Sequence, residues 1–223
     1  MFHKNAFSLV ELSIVLVILG LLTGGILAGQ SLIKASELRS SISDLNKYEA
    51  AFYSFKDRYF QIPGDMTTAT KFWTSAGGTG SDVACFAIST TTQATCNGNG
   101  DGVVYTGPTA SYREYWHYWK QLANAGLIEG SYTGANGTSG VSHAMPGDNV
   151  PALKIRNGAI NITRTSLFLT GTFAQSYYLG IATTTTTTPL SSAEELWNID
   201  MKRDDGKPSY GKNYTKTATV YPG

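Results

Sequence analysis

One short loop concentrates side chains of the kind that bind cations. Oxygen-bearing side chains stand at alternate positions, Asn97, Asn99 and Asp101, and Gly102 occupies the sixth position, as at the start of an EF-hand calcium loop. The twelfth position is Pro108, where that loop requires Glu. Two interpretations therefore stay open for the loop, a calcium site and a Gly- and Asn-rich turn without an ion, so no cofactor is certain.

No set of residues in the chain has the spacing of a known enzyme site. The three histidines, His3, His117 and His143, are far apart, and the HExxH, GxSxG and phosphate-loop patterns do not occur. We therefore expect a protein that is not an enzyme. Eleven basic and eleven acidic residues follow from Gln61 onward, so the charge balance predicts no nucleic-acid partner.

The N-terminal region contains one long apolar segment. Residues 9–28 include a single charged side chain, Glu11, and as a helix they span roughly 30 Å, the thickness of a bilayer's hydrocarbon core. A secretory signal peptide is the competing interpretation, because Lys4 precedes the segment and Ala28 and Gly29 are small. The segment is longer than the usual signal core, and a carboxylate has no use there. We therefore expect a membrane anchor.

The helical pattern continues beyond the apolar segment to about residue 60. No proline occurs before Pro63, and no glycine occurs between Gly29 and Gly64, so one helix of about fifty residues is the simplest prediction. Its second half carries an apolar stripe at spacings of three and four, formed by Leu38, Ile42, Leu45, Tyr48, Phe52, Phe55 and Tyr59. A free coiled coil is the alternative, but the stripe covers only about three heptads. We expect this half to pack on a globular domain.

The first residues of the chain carry a family resemblance. The segment AFSLVEL at 6–12, preceded by a basic residue and followed by an apolar helix, resembles the N-terminus of type IV prepilins and of type II secretion pseudopilins. The resemblance implies that a prepilin peptidase cleaves between Ala6 and Phe7 and methylates the new amine of Phe7. It also implies that pilin-like subunits assemble into a filament through their apolar helices, with Glu11 as the acid of the motif. The family usually has Gly where this chain has Ala6.

The cost of a charge in the membrane also predicts a positive partner for Glu11. An unpaired carboxylate at the centre of a bilayer costs roughly 2.5–3.5 kcal/mol. An ammonium group released at Phe7 is the one positive charge within reach of it. We therefore expect Glu11 to pair with an N-terminal amine.

Glycines interrupt the apolar half of the helix. They are Gly20, Gly24, Gly25 and Gly29, and they form two GxxxG matches. Close approach of neighbouring helices is one interpretation, and weak points at which the helix stretches in a filament are the other. Both stay open.

The chain contains two cysteines, Cys85 and Cys96. In an exported domain they are expected to form a disulfide that closes a twelve-residue loop. In a cytosolic protein they would be free thiols, and their spacing fits no metal motif.

Short elements are predicted after residue 61. Helices are expected at 67–73, at 111–125 with Gly126 as its cap, and from 192 to before Gly206, and strands at 152–156, 167–173 and 177–183. These strands predict an antiparallel sheet of three or four strands. The helix at 111–125 is expected to bury Tyr115, Trp116, Trp119, Leu122 and Ala123, and to leave Tyr112 and Tyr118 for contact with neighbouring subunits.

A second group of acidic residues lies near the C-terminus. It consists of Asp200, Asp204 and Asp205. Several proteins of the family resembled carry calcium near their C-terminal loop, so these three residues are candidates for calcium binding by resemblance.

Together these features predict an α+β, pilin-like chain, in which a long N-terminal helix packs on a small antiparallel sheet with additional short helices. We expect a leader at 1–6, a transmembrane and assembly half at 7–29, an amphipathic half at 30–60 and a globular head at 61–223. The expected location is the inner membrane, with a single pass and the head in the periplasm. The expected function is that of a type II secretion pseudopilin.

Two other functions stay open. One is a minor pilin of a type IV pilus, in adhesion or DNA uptake. The other is a membrane-anchored secreted binding domain, for which a deep pocket lined by tryptophans would be the supporting observation.

Overall fold

A computed structural model describes most of the chain. The residues described are 8–76, 92–102, 104, 114–135, 137, 143–154, 158–163, 176–180 and 193–203. Their elements are α1 (Leu9–Tyr59), α2 (Ala69–Phe72), α3 (Glu114–Asn124), β1 (Ala159–Thr163), β2 (Ser176–Gly180) and α4 (Ala193–Arg203).

The prediction of one long N-terminal helix is confirmed, because α1 is continuous over 51 residues. Its first half is long and apolar enough to cross a membrane by length and composition. The helix ends at Phe60, which adopts φ of 55° and donates its N–H to the carbonyl of Lys56. A left-handed residue at this position commonly ends a helix, although glycine usually occupies it.

The chain divides into two compact units, residues 1–39 and residues 40–223. In the first unit the apolar side chains of α1 are exposed, from Leu9 at 84% to Ile33 at 62%. The division falls after Arg39. The reason is that α1 first buries a residue in the head at Ser41.

In the second unit the predicted stripe of α1 forms part of the core. Leu45, Tyr48, Phe52 and Phe55 are buried, together with Ala51. Their rings meet other aromatic rings in the head. Tyr48 contacts Trp119 edge to face at 5.2 Å between centroids, and Phe52 stacks on Tyr118 at 6.4 Å. Such pairs contribute about 0.5–1.5 kcal/mol each beyond the area that they bury.

The central helix of the head is α3, whose residues 114–122 are all buried. It ends in a Schellman motif, in which Leu127 donates to the carbonyl of Leu122 and Gly126, at φ of 69°, donates to that of Ala123. The prediction that Gly126 caps this helix is confirmed. The prediction for Tyr118 is wrong, because its side chain is 0% exposed and stacked on Phe52 of α1.

The strands β1 and β2 pair in an antiparallel ladder, with Asn161 opposite Tyr178. Of the strand expected at 152–156, the described residues 152–154 include one bridge residue, Ala152. Beside it the N–H of Leu153 donates to the carbonyl of Gly158 at 2.6 Å and the N–H of Ile160 donates to that of Pro151 at 3.4 Å, and residues 155 and 156 lie outside the described residues. The strand expected at 167–173 lies outside the described residues, so a sheet of three or four strands stays a prediction.

The two remaining helices are short. In α2 the buried residue is Ala69, and the exposed Phe72 contacts Tyr59 edge to face at 5.1 Å. In α4 Ile199 is buried, whereas Trp197 is 46% exposed.

Candidate functional site

The first candidate site is the beginning of α1, where Ser8 precedes the first helical residue. The backbone N–H of Ser8 donates to Glu11 Oε2 at 2.9 Å, and the N–H of Val10 donates to Ser8 Oγ at 3.3 Å. This is a capping box, which satisfies two of the N–H groups that a helix leaves without partners at its start. The carboxylate of Glu11 also lies at the positive end of the helix dipole.

Glu11 therefore has a partner within its own subunit, which the sequence interpretation missed. The signal was present, because Ser8 and Glu11 stand three residues apart immediately before an apolar run. A carboxylate has about four acceptor sites on its two oxygens. The bond to Ser8 thus leaves Glu11 able to bind an amine as well. Ala6 and Phe7, the predicted cleavage and methylation site, lie outside the described residues.

The second candidate site is the loop at 97–102, which is organised around Asp65. The carboxylate of Asp65 accepts the N–H of Gly100 at Oδ1, at 2.6 Å, and the N–H of Gly102 at Oδ2, at 2.8 Å. The loop thus presents backbone donors to a buried anion. A calcium loop presents oxygen atoms to a cation instead.

Three carboxylates meet beside this loop. Atoms of Asp65, Asp101 and Glu114 lie within 4.8 Å of one another. Burial raises the pKa of Asp65, and the N–H groups of Gly102 and Gly100 oppose that rise. Glu114 accepts the N–H of Asn99 at 3.0 Å. Backbone N–H groups therefore already stabilise part of the negative charge of these three carboxylates.

The residues predicted as calcium ligands fall in different places. Asn97 Oδ1 accepts both the N–H and the hydroxyl of Thr70, at 2.9 and 3.1 Å, which occupies both lone pairs of that oxygen. Asn99 Oδ1 accepts the N–H of Asp101 at 2.9 Å. Asp200 lies in α4, and the other two acidic candidates, Asp204 and Asp205, lie outside the described residues. Calcium stays a prediction at both loops.

Cys96 is buried. Its predicted partner, Cys85, lies outside the described residues, so the pairing of these two cysteines stays a prediction. Gln121 of α3 holds this segment, because its Nε2 donates to the carbonyl of Cys96 at 3.1 Å while its Oε1 accepts the N–H of Gly64 at 2.7 Å. The local sequence of Gln121 contained no signal for this role.

Residues 1–27 match the family described as the prokaryotic N-terminal methylation motif. The matched segment contains the whole of the helix start around Ser8 and Glu11. The match supports a type IV prepilin-like or pseudopilin-like protein. No curated protein and no solved structure matches the chain.

The motif of this prepilin-like protein implies processing by a prepilin peptidase and assembly with pilin-like subunits in a membrane-associated filament. The apolar first half of α1 is consistent with the membrane anchor of a pilin. Three of its four tryptophans, Trp73, Trp116 and Trp119, are buried in the head, and Trp197 lies on α4. The described tryptophans are thus mainly core residues.

Proposed function

We propose that this prepilin-like chain is a structural subunit, a pseudopilin of a type II protein secretion filament, held in the inner membrane with its head in the periplasm. The observation that carries the proposal is the methylation motif joined to an apolar helix half whose side chains are exposed. In the proposed role the chain performs no catalytic step.

The exposed apolar half supports assembly by the following argument. Its apolar side chains from Leu9 to Ile33 are exposed, and exposed apolar surface of this extent is unfavourable in water. Lipid tails cover such a helix before assembly, and the apolar helices of other subunits cover it in a filament. The single carboxylate, Glu11, then needs a positive partner, and the Phe7 amine released by cleavage provides one.

The processing step is tested by mass spectrometry of the membrane fraction. We expect a mature chain that begins at Phe7 and carries one additional methyl group on its amine. An N-terminus at Gly29 or later would show a secretory signal peptide and contradict the proposal.

The assembly step is tested by crosslinking between subunits in membranes that carry Glu11→Gln. Glutamine still accepts the N–H of Ser8, so the capping box is kept and only the charge is lost. We expect crosslinking to fall while membrane insertion survives. Glu37→Gln removes a charge from the same helix outside the apolar segment and is the matched control, for which we expect wild-type crosslinking. Unchanged crosslinking in Glu11→Gln would contradict the role of Glu11 in assembly.

The filament system is tested by deleting the gene for this chain in its host. A pseudopilin predicts that folded proteins accumulate in the periplasm while surface pili persist. Loss of surface pili with normal secretion would identify a type IV pilus subunit and contradict the assignment to type II secretion.

A further inference from the structure

The loop at 97–102 contains two Asn–Gly pairs that the proposed function does not use. They are Asn97–Gly98 and Asn99–Gly100. In an Asn–Gly pair the backbone nitrogen of the glycine can attack the side-chain amide of the asparagine, because no side chain on the glycine obstructs the approach. The two pairs share their chemistry and differ in their surroundings, so differences in reactivity must come from the fold.

We propose that the folded head deamidates itself at Asn99, with Gly100 N as nucleophile and the Asp65 carboxylate as the base that accepts its proton. The modification turns Asn99 into aspartate or isoaspartate. It requires only water as a co-reactant.

The nucleophile is held against its base. Gly100 N–H donates to Asp65 Oδ1 at 2.6 Å, the length of a strong, charge-assisted bond. The N–H lies in the peptide plane, whereas attack uses the orbital perpendicular to that plane. The hydrogen bond therefore does not obstruct attack, and proton transfer to Asp65 makes the nitrogen more nucleophilic. Asp65 itself is held in place by a second bond, from Gly102 N–H at 2.8 Å.

The amide that is attacked is held by Asp101 on both sides. Its oxygen, Asn99 Oδ1, accepts the N–H of Asp101 at 2.9 Å, which stabilises the negative charge that develops on this oxygen during attack. Its nitrogen, Asn99 Nδ2, donates to Asp101 Oδ2 at 3.0 Å. Asp101 Oδ2 is therefore beside the nitrogen that must leave.

The reaction balances in two steps. In the first, the bond from Gly100 N to Asn99 Cγ forms, the bond from Cγ to Nδ2 breaks, and ammonia leaves. The proton lost by Gly100 N passes to Asp65 and returns to Nδ2 through the carboxylate of Asp101, which lies within 4.8 Å of that of Asp65 and accepts a hydrogen bond from Nδ2. In the second, water opens the cyclic imide at one of its two carbonyls. Asn99 and Gly100 are exposed, so water reaches them.

Asn97–Gly98 differs in the group that accepts the glycine N–H and is an internal control. Gly98 N–H donates to the backbone carbonyl of Met66 at 2.8 Å, and a carbonyl oxygen is a far weaker base than a carboxylate. The side-chain oxygen of Asn97 accepts hydrogen bonds from the N–H and the hydroxyl of Thr70, which lies outside the loop. Gly98 also packs so closely on Asp65 that a Cβ would lie 2.4 Å from its backbone. We expect Asn97 to persist as asparagine in the folded head.

The test uses the full-length protein in detergent micelles, incubated at neutral pH in water enriched in oxygen-18 and then digested for mass spectrometry. General acid–base catalysis contributes roughly 10²–10⁴-fold to a rate. We therefore expect Asn99 to exchange its amide for labelled oxygen about 100-fold faster than Asn97. Equal rates at the two residues would overturn the proposal.

Two variants separate the base from the surrounding charge. Asp65→Asn removes the base, and we expect the rate at Asn99 to fall about 100-fold. Glu114→Gln removes a neighbouring carboxylate but keeps an acceptor for Asn99 N–H, and we expect a change below about threefold. Equal losses in the two variants, or an unchanged rate in Asp65→Asn, would overturn the assignment of Asp65.

Asn97 also reports whether a variant has unfolded. If Asp65→Asn only loosened the loop, both asparagines would react at similar, higher rates, which would contradict a base at Asp65. The expected result is a slow Asn97 and a slowed Asn99 in the same molecule.

Discussion

The two halves of α1 have the same backbone and opposite surroundings. From Leu9 to Ile33 the apolar side chains are exposed, with none of the membrane-length segment buried. From Ser41 to Phe55 one side chain in every turn or so is buried against aromatic rings of the head. Both halves are rich in apolar residues, but only the second arranges them as a stripe with charged residues on the other faces.

The difference shows how one helix serves two solvents. A stripe suits a helix with a protein core on one side and water on the other, whereas an apolar surface on all sides suits lipid or other apolar helices. The first half therefore lacks the pattern of a helix that is exposed to water. We expect its stability to depend on the surrounding lipid and on contacts with other subunits. The head depends on its own packing. The following predictions test that contrast, in order of decreasing effect.

The largest change in stability is expected from a substitution that creates a cavity in the head. Trp119 is 0% exposed and contacts Tyr48 and Tyr118, so Trp119→Ala should lower the free energy of unfolding by about 3–5 kcal/mol. Urea unfolding of the purified protein followed by circular dichroism measures the loss, and alkaline extraction should show unchanged membrane insertion. Trp197→Ala is the control, with a loss below about 1 kcal/mol because this side chain is 46% exposed. Failure of insertion in Trp119→Ala would contradict the independence of the two units.

Acid is expected to destabilise the head through His117. Burial and the charge of Lys120 lower the pKa of His117 from 6.5 to about 3. In the described part of the chain its Nε2 has no hydrogen-bond partner. Between these two pH values the unfolded chain binds the proton and the folded head does not, so stability is lost as pH falls, by about 1.4 kcal/mol per pH unit.

The measurement for His117 is the pH dependence of urea unfolding. His117→Gln should reduce the slope between pH 6.5 and pH 3. The comparison between variants separates His117 from Asp65, whose raised pKa gives the opposite slope. An identical slope in His117→Gln and wild type would contradict the role of this residue.

A smaller effect is expected from the glycine that brings the end of α1 against α3. A Cβ on Gly64, at φ of 85°, would lie 2.3 Å from the carbonyl oxygen of Glu114. Left-handed strain of about 1–2 kcal/mol adds to that clash, so Gly64→Ala should cost the head at least about 2 kcal/mol. Gly126→Ala introduces the left-handed strain without the clash, and it should lower the free energy of unfolding by about 1 kcal/mol. Gly24→Ala, in the apolar half of α1, should leave the stability of the head unchanged. Equal unfolding midpoints for all three would contradict this ranking.

The smallest effect is expected from the ion pair at the surface of the head. Lys47 Nζ lies 3.2 Å from Glu129 Oε1, and the two side chains are 43% and 93% exposed. Solvent screens such a pair, so Glu129→Gln should change the free energy of unfolding by less than about 1 kcal/mol. A loss as large as that of Trp119→Ala would show that the head does not depend mainly on packing.

Much of the helical structure could be predicted, because helical signals are local. The apolar run and the absence of proline predicted α1, spacing at three and four identified its buried face, and Gly126 marked the end of α3. Even the cap at Ser8 and Glu11 was visible in the sequence, although its meaning was missed. The strand expected at 152–156 stays a prediction beyond the bridge residue Ala152, because residues 155 and 156 lie outside the described residues.

The sequence by itself determined that this protein has a membrane-length helix with one carboxylate near its start and an amphipathic continuation, because these properties depend on residues three or four positions apart. Only the tertiary structure decided that Asp65 organises a loop 35 residues later, that Gln121 joins Gly64 to Cys96, and that Tyr118 belongs to the core. The reason is physical. Helical geometry fixes the neighbours of a residue along one element, whereas the path of the whole chain decides which elements meet and what each buried polar group finds as a partner.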